Sequence, residues 1–212
     1  MLQLDHIFVL ASPGAPEADA LCELGLVEGA PNQHPGQGTS NRRFFLANTT
    51  LEFLFIQNVA EAMNGAGRNL KLLERAIDTN ASAVGLVTRW FGDQSSPDYP
   101  FWEYYPDYFA DPMCFYVGKN SDNFEEPLCI CMPTALPLPI NPPAPNNSDW
   151  SLSEAEICIP AIFASETLSR YSECDKVTLV LGEEHRLKLV FNRAEKANKL
   201  SLLPDLPLII EW

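Results

Sequence analysis

Two apolar runs each carry one residue that does not belong to a plain strand. Leu4-Asp5-His6-Ile7-Phe8-Val9-Leu10 holds an imidazole, and Thr50-Leu51-Glu52-Phe53-Leu54-Phe55-Ile56 holds a carboxylate. Alternate side chains of a strand share a face, so His6 lies with Leu4 and Phe8, and Glu52 with Leu54 and Ile56. The opposite faces are apolar too, so both groups are expected to lose hydration. An unpaired buried carboxylate costs on the order of several kcal/mol and is driven to protonate or to find a partner. A divalent cation would satisfy both groups, through an imidazole nitrogen and a carboxylate oxygen. In the alternative arrangement His6 bonds to backbone and Glu52 pairs with Arg42 or Arg43 across the adjoining strand.

Other residues suit a small-molecule site. Glu211, close to the end of the sequence, is a ligand or base candidate, or else a solvated carboxylate. His34 and Asn41 bound the loop Pro31-Asn32-Gln33-His34-Pro35-Gly36-Gln37-Gly38-Thr39-Ser40-Asn41, where they can rim a cleft with polar contacts. Gly36-x-Gly38 lacks the third glycine and the lysine of a phosphate loop. Residues 98–109 concentrate aromatic rings with acidic groups, and Trp102 and Tyr104 are the rings expected to contact a ligand, the alternative being a cover over the sheet. His185 follows Gly182-Glu183-Glu184 in an expected hairpin turn. Cys129-x-Cys131 has no second pair and reads as core packing rather than a metal site.

Composition bounds the partners. The chain has 212 residues, 46% hydrophobic and 20% charged, enough for a full core. Fourteen basic against 28 acidic side chains leave a formal charge of −14, which repels nucleic acid and anionic membrane surfaces. No run reaches membrane-spanning length, and the start lacks the basic residues of a secretory signal. Six cysteines are too sparse for a disulfide-built fold. A cytoplasmic protein with reduced thiols is expected.

The elements that must position these residues follow from punctuation. Residues 3–11 predict a strand. Ala15-Pro16-Glu17 opens a helix that Gly25 closes. Strands follow at 42–47 and 51–57. A helix is predicted over 67–79 with Leu70, Leu73 and Ile77 on one face, then strands at 83–89, 113–117 and 127–132. Prolines between 133 and 145 deny that stretch helix and ladder bonds, making it a semi-rigid connector. Beyond it the opening order recurs: strand 156–162, helix 165–174, and strands 177–182, 186–191 and 208–212. The organisation is thus an N-terminal βαβββ module (1–60), a middle helix with strands completing the sheet (61–132), a Pro-rich connector (133–149) and a C-terminal βαβββ-like module (150–212).

With His6 in the first strand, the Gly-rich loop at 34–41 and Leu51-Glu52-Phe53 in the fourth strand, the sequence resembles the glyoxalase-like domains of the vicinal oxygen chelate superfamily. The Pro-led, Trp-ended Leu206-Pro207-Leu208-Ile209-Ile210-Glu211-Trp212 is similar to the last strand of some members. The resemblance implies an α+β fold of repeated βαβββ modules whose curved mixed sheets enclose a cleft. It also implies metal-dependent lyases, isomerases or dioxygenases, or metal-free proteins that only bind. In the metal enzymes, first-strand His and fourth-strand Glu are ligands, positions matched here by His6 and Glu52. The partner positions, Ile157 or the neighbourhood of Gly85, cannot ligate. The resemblance further allows a homodimer whose modules complete each other's clefts.

The expectation is therefore a protein acting on a small oxygen-bearing organic molecule. One scheme uses a single divalent ion (Zn, Ni, Fe or Mn) held by His6 and Glu52, with Glu52 or Glu211 moving the proton. The rival is a metal-free protein of the same fold that sequesters a small molecule in the same cleft.

Overall fold

The computed structural model describes residues 1–92, 96–110, 112–133 and 147–212. The connector at 134–146 lies outside the described residues. Strand β1 (Leu2–Leu10) and strand β4 (Thr50–Ile56) lie side by side and parallel, with His6 opposite Thr50 and Phe8 opposite Glu52. Parallel neighbours need a long crossover. Here it contains a 3-10 turn (Pro16–Ala18), helix α1 (Asp19–Glu23) and a hairpin of β2 (Asn32–His34) with β3 (Thr39–Phe45). The segment expected as a turn-rich loop is thus half strand. Asn32 faces Asn41 across the hairpin, where the Asn41 side-chain oxygen accepts the Asn32 amide at 2.7 Å.

The second half of this sheet repeats the first in its pairing. Strand β5 (Val84–Trp90) runs antiparallel to β1, and β8 (Leu128–Met132) runs parallel to β5. Outside β8 come β7 (Phe115–Gly118) and then β6 (Phe101–Tyr104), both by antiparallel pairing. The order β2-β3-β4-β1-β5-β8-β7-β6 reads the same outward from β1 and from β5: inner strand, parallel partner, two antiparallel strands. The eight strands form a curled mixed sheet, consistent with the glyoxalase-like fold.

Residues 150–212 form a separate five-stranded sheet. Its strands are β9 (Leu152–Ile159), β10 (Val177–Leu181), β11 (Arg186–Phe191), β12 (Lys199–Ser201) and β13 (Leu208–Glu211), with helix α4 (Glu166–Tyr171) between β9 and β10. The order is β10-β9-β11-β13-β12. Here the second strand returns parallel beside the first, whereas in the opening unit the fourth strand does so. The pairing that mirrors residues 2–56 therefore belongs to 84–132. Because β10 and β11 flank β9 on opposite sides, the link at 182–185 crosses the end of β9 and is not a hairpin turn.

The two sheets pack face to face. Ile7, Val9, Leu51, Phe53 and Leu86 share one buried cluster with Leu152, Ile157, Leu187 and Leu189. The opposite face of the large sheet carries a second cluster, with Phe8, Leu54, Val87, Tyr104 and Ile130 joined by Leu70 and Leu72. The segment expected as one helix over 67–79 is broken. Helix α2 (Val59–Asn64) precedes a 3-10 turn (Ala66–Leu70), and α3 (Leu72–Ile77) follows. Lys71 between them has φ of 55°, which interrupts the helical ladder and shifts the phase. Leu70, Leu72 and Arg75 are consequently buried, while Ile77 is 72% exposed.

Arg75 fixes this covering layer. Its guanidinium donates to the carbonyls of Ser82, Glu126, Ser121 and Asn123 and lies against the Phe124 ring. A buried charge is tolerated when it meets such a set of oriented dipoles.

Candidate active site

A cavity of about 320 Å³ opens over the inner strands of the curled sheet. Its polar lining includes Asp5, His6, His34, Arg43, Glu52 and Arg89. Its apolar lining includes Phe8, Leu54, Val87, Phe115, Ile130 and Met132.

An irregularity in β1 brings two of these polar groups to the cavity. Between Leu4 and His6 the pairing with β5 shifts by one residue. Such a bulge re-aims side chains, and both Asp5 and His6 now line the cavity while Leu4 packs against the intersheet core. Strict alternation had placed Leu4 on the face of His6.

Asp5 then bridges two cationic partners. Its Oδ1 lies 2.7 Å from His6 Nδ1, and its Oδ2 accepts from Arg89 Nε at 2.5 Å. Burial acts to raise the Asp5 pKa, but the bonds and charges of His6 and Arg89 prevail and hold it below the ordinary value. Burial likewise acts to lower His6, yet the charge of Glu52 and the Asp5 bond outweigh it, so its pKa is raised. A carboxylate at Nδ1 requires the proton on that nitrogen and commits Nε2 to other contacts.

Glu52 is held from the adjacent hairpin strand. Asn41, 1% exposed, donates its amide Nδ2 to Glu52 Oε2 at 2.9 Å. Neither expected arginine pairs with Glu52 among the described residues. Arg42 binds Glu28 and Asp19, and Arg43 donates Nε to the Ala30 carbonyl and stacks on Phe45. His34 Nδ1 lies 3.0 Å from Thr39 Oγ1, and burial lowers its pKa. The Tyr104 and Tyr108 hydroxyls both approach Gln37 Oε1 at 3.4 Å, so Gln37 ties the aromatic wall to the hairpin.

The structure gathers His6, His34, Glu52 and Tyr104 around one cavity, with Asn41 as the anchor of Glu52. It does not bring Trp102 or Glu211 there. The Trp102 indole donates to Ser121, and Glu211 lies on β13 in the other sheet, 3.7 Å from Lys199 Nζ. Asp5 and Arg89 were missed by sequence reasoning. The only signal for Asp5 was its position beside His6, because a bulge leaves no mark in the residue pattern. Arg89 was read as the end of a strand, and its pairing with Asp5 depends on the antiparallel fit of β1 and β5. Cys129 and Cys131 are fully buried with raised thiol pKa values, as core residues are.

The donor set does not fit the divalent metal that the resemblance implied. From β5 and β8 the cavity receives Val87, Arg89, Ile130 and Met132, which supply neither imidazole nor carboxylate. Arg89 adds a positive charge to the cavity lining, and Asp5 already serves Arg89 and His6. Among the described residues no group of three or more His, Cys, Asp or Glu side chains is placed to hold a metal ion. Protein zinc sites ordinarily use at least three such ligands.

With this geometry in hand, comparison with known proteins adds the fold. A solved hypothetical protein from Staphylococcus aureus matches 100% of this chain and 99% of its own, with TM-score 0.54 and 11% identity. That similarity shows the fold alone. A substituted 4-hydroxymandelate synthase from Streptomyces coelicolor matches 89% of this chain and 70% of its own at 11% identity, with TM-score 0.46, too low to carry an argument. No family model and no curated protein matches the sequence. The class that fold and site define is an α+β protein with a curled mixed sheet of mirrored four-strand halves around a small-molecule-sized cavity. Among the described residues no helix is long and apolar enough to cross a membrane.

Proposed function

We propose that this protein binds a small oxygen-bearing organic molecule in the cavity over β1, β4, β5 and β8, without a metal ion. The observation that carries the reading is the lining of the cavity. His6 and Glu52, each steadied by its own carboxylate or amide partner, face it among aromatic and aliphatic side chains that include Phe8, Val87 and Phe115. Ligand sites have this composition: mostly apolar walls with a few oriented polar groups. The ligand's oxygen meets His6 and Glu52, and its apolar body lies against Phe8, Phe115 and Val87.

A second reading, proton transfer on the bound molecule, is favoured by one specific feature. An imidazole whose Nδ1 is held by a carboxylate has the orientation used for general base catalysis. Metal-dependent lyase, isomerase or dioxygenase chemistry has no such support in the residues that line the cavity.

The test is a fragment screen by ¹H–¹⁵N correlation spectra of the full chain in the presence of a chelator. Binders should move amides of β1, β4, β5 and β8, and Val87→Phe, which fills the space beside His6, should abolish those shifts. Shifts confined to other surfaces, or unaffected by Val87→Phe, would refute the proposal. Product formation from a binder that is lost in His6→Asn would select the catalytic reading over sequestration.

A further inference from the structure

The hydrogen-bonding balance around His6 and Glu52 specifies a head group, an inference that rests on the cavity being the binding site. We infer that the ligand presents an uncharged hydroxyl, as an alcohol or phenol on a body about the size of a single ring, rather than a carboxylate or an ammonium.

Asn41 takes Glu52 Oε2, and Oε1 has no hydrogen-bond partner among the described residues. A carboxylate accepts and does not donate. Whatever meets it must therefore bring a hydrogen. His6 has Nδ1 committed to Asp5, leaving Nε2, which accepts when the ring is neutral and donates when it is protonated. With the ring protonated, the state its raised pKa favours, one hydroxyl suits both groups, since it donates to Glu52 and accepts from Nε2; with the ring neutral its single hydrogen serves Glu52 alone. An ether or ketone oxygen cannot donate to Glu52.

Charge excludes the other common head groups. A carboxylate would bring a negative charge beside Glu52, and the cation nearest His6, Arg89, already faces Asp5. An ammonium can donate to Glu52 but has no lone pair to accept from the protonated His6, and it would share the cavity with that imidazolium, Arg43 and Arg89. Like charges in a partly desolvated site repel strongly. The cavity volume, about 320 Å³, lies at the small end of ligand sites, which run from roughly 300 to 1,000 Å³. Its apolar lining, which includes Phe8, Phe115, Val87 and Ile130, suits one ring and little more.

Three probes with the same ring separate the head groups: benzyl alcohol, benzoate and benzylammonium, with toluene as the apolar reference. Each is titrated into the full chain and followed by amide shifts of the cavity strands. Benzyl alcohol should bind at least about tenfold tighter than either ion, the equivalent of one hydrogen bond to a charged group. In Glu52→Gln the charge is gone, so benzoate should gain about tenfold and the gap should close. Benzoate or benzylammonium binding as tightly as benzyl alcohol overturns the inference, as does toluene matching the alcohol, and in each case the cavity reading survives. If none of the four moves the cavity amides, the cavity reading falls and the inference with it. The ranking on the unaltered chain decides the matter even if Glu52→Gln fails to fold.

Discussion

His6 and Glu52 face one cavity from adjacent parallel strands, offset by one pleat: His6 stands opposite Thr50, and Glu52 opposite Phe8. Each is anchored by a different neighbour, His6 by Asp5 on its own strand and Glu52 by Asn41 on the next. Two polar groups inside an apolar sheet are thus held by short, specific bonds while each keeps one atom for a ligand.

The Asp5–Arg89 pair should matter to stability far more than the surface pairs. Both side chains are nearly buried, at 12% and 7% exposed. Breaking such a pair leaves an uncompensated charge, so Arg89→Met should cost about 3 kcal/mol in urea unfolding. Lys176→Met, which removes an exposed pair with Asp175, should cost less than about 1 kcal/mol. Equal costs would contradict the buried geometry.

Two cavity histidines should titrate on opposite sides of the ordinary value of 6.5. His6 is raised and His34 lowered, both against the same background of burial. The signs for folding stability are opposite as well. The His6 contribution is fully present below 6.5 and lost as pH rises through its folded pKa, whereas His34 costs stability as pH falls below 6.5. Asp5, with its pKa lowered, contributes above 3.8 and loses that contribution as pH falls through its folded value. Ring-proton shifts followed by NMR check the histidines, and Asp5→Asn should bring His6 down.

Gly85 makes room for the cavity floor. A Cβ built there would fall inside the Phe8 ring. Gly85→Ala should therefore push Phe8 into the cavity, costing about 1–3 kcal/mol of stability and weakening ligand binding together. Unchanged binding of the ring probes in a folded Gly85→Ala protein would show that Phe8 does not line the occupied space.

Arg75 offers a test of the covering layer apart from the cavity. Arg75→Met strands the carbonyls of Ser82, Ser121, Asn123 and Glu126. The expected loss is about 3 kcal/mol or more, with amide exchange fastest in α3 and the 119–126 segment.

Much of the sheet was legible because its strands are apolar runs bounded by Gly, Pro and Asn. His6 and Glu52 stood out for the same reason, as polar residues inside those runs. What escaped was long-range. Which four strands mirror the first four depends on pairing, and element order alone pointed to 150–212 rather than 84–132. Strands β6 and β12 are four and three residues long and gain their definition from neighbours. The break at Lys71 turned Ile77 outward, and an apolar periodicity cannot reveal one left-handed residue. Glu211 looked eligible only while its sheet was unknown.

The most direct test of a metal-free ligand site is one titration of the full chain with benzyl alcohol, repeated with chelator and with added Mn²⁺ or Zn²⁺. Saturable amide shifts at His6, Glu52, Val87 and Ile130 that are the same in all three conditions are the predicted result. Binding that appears only with the ion, or shifts that avoid these four residues, would contradict the account.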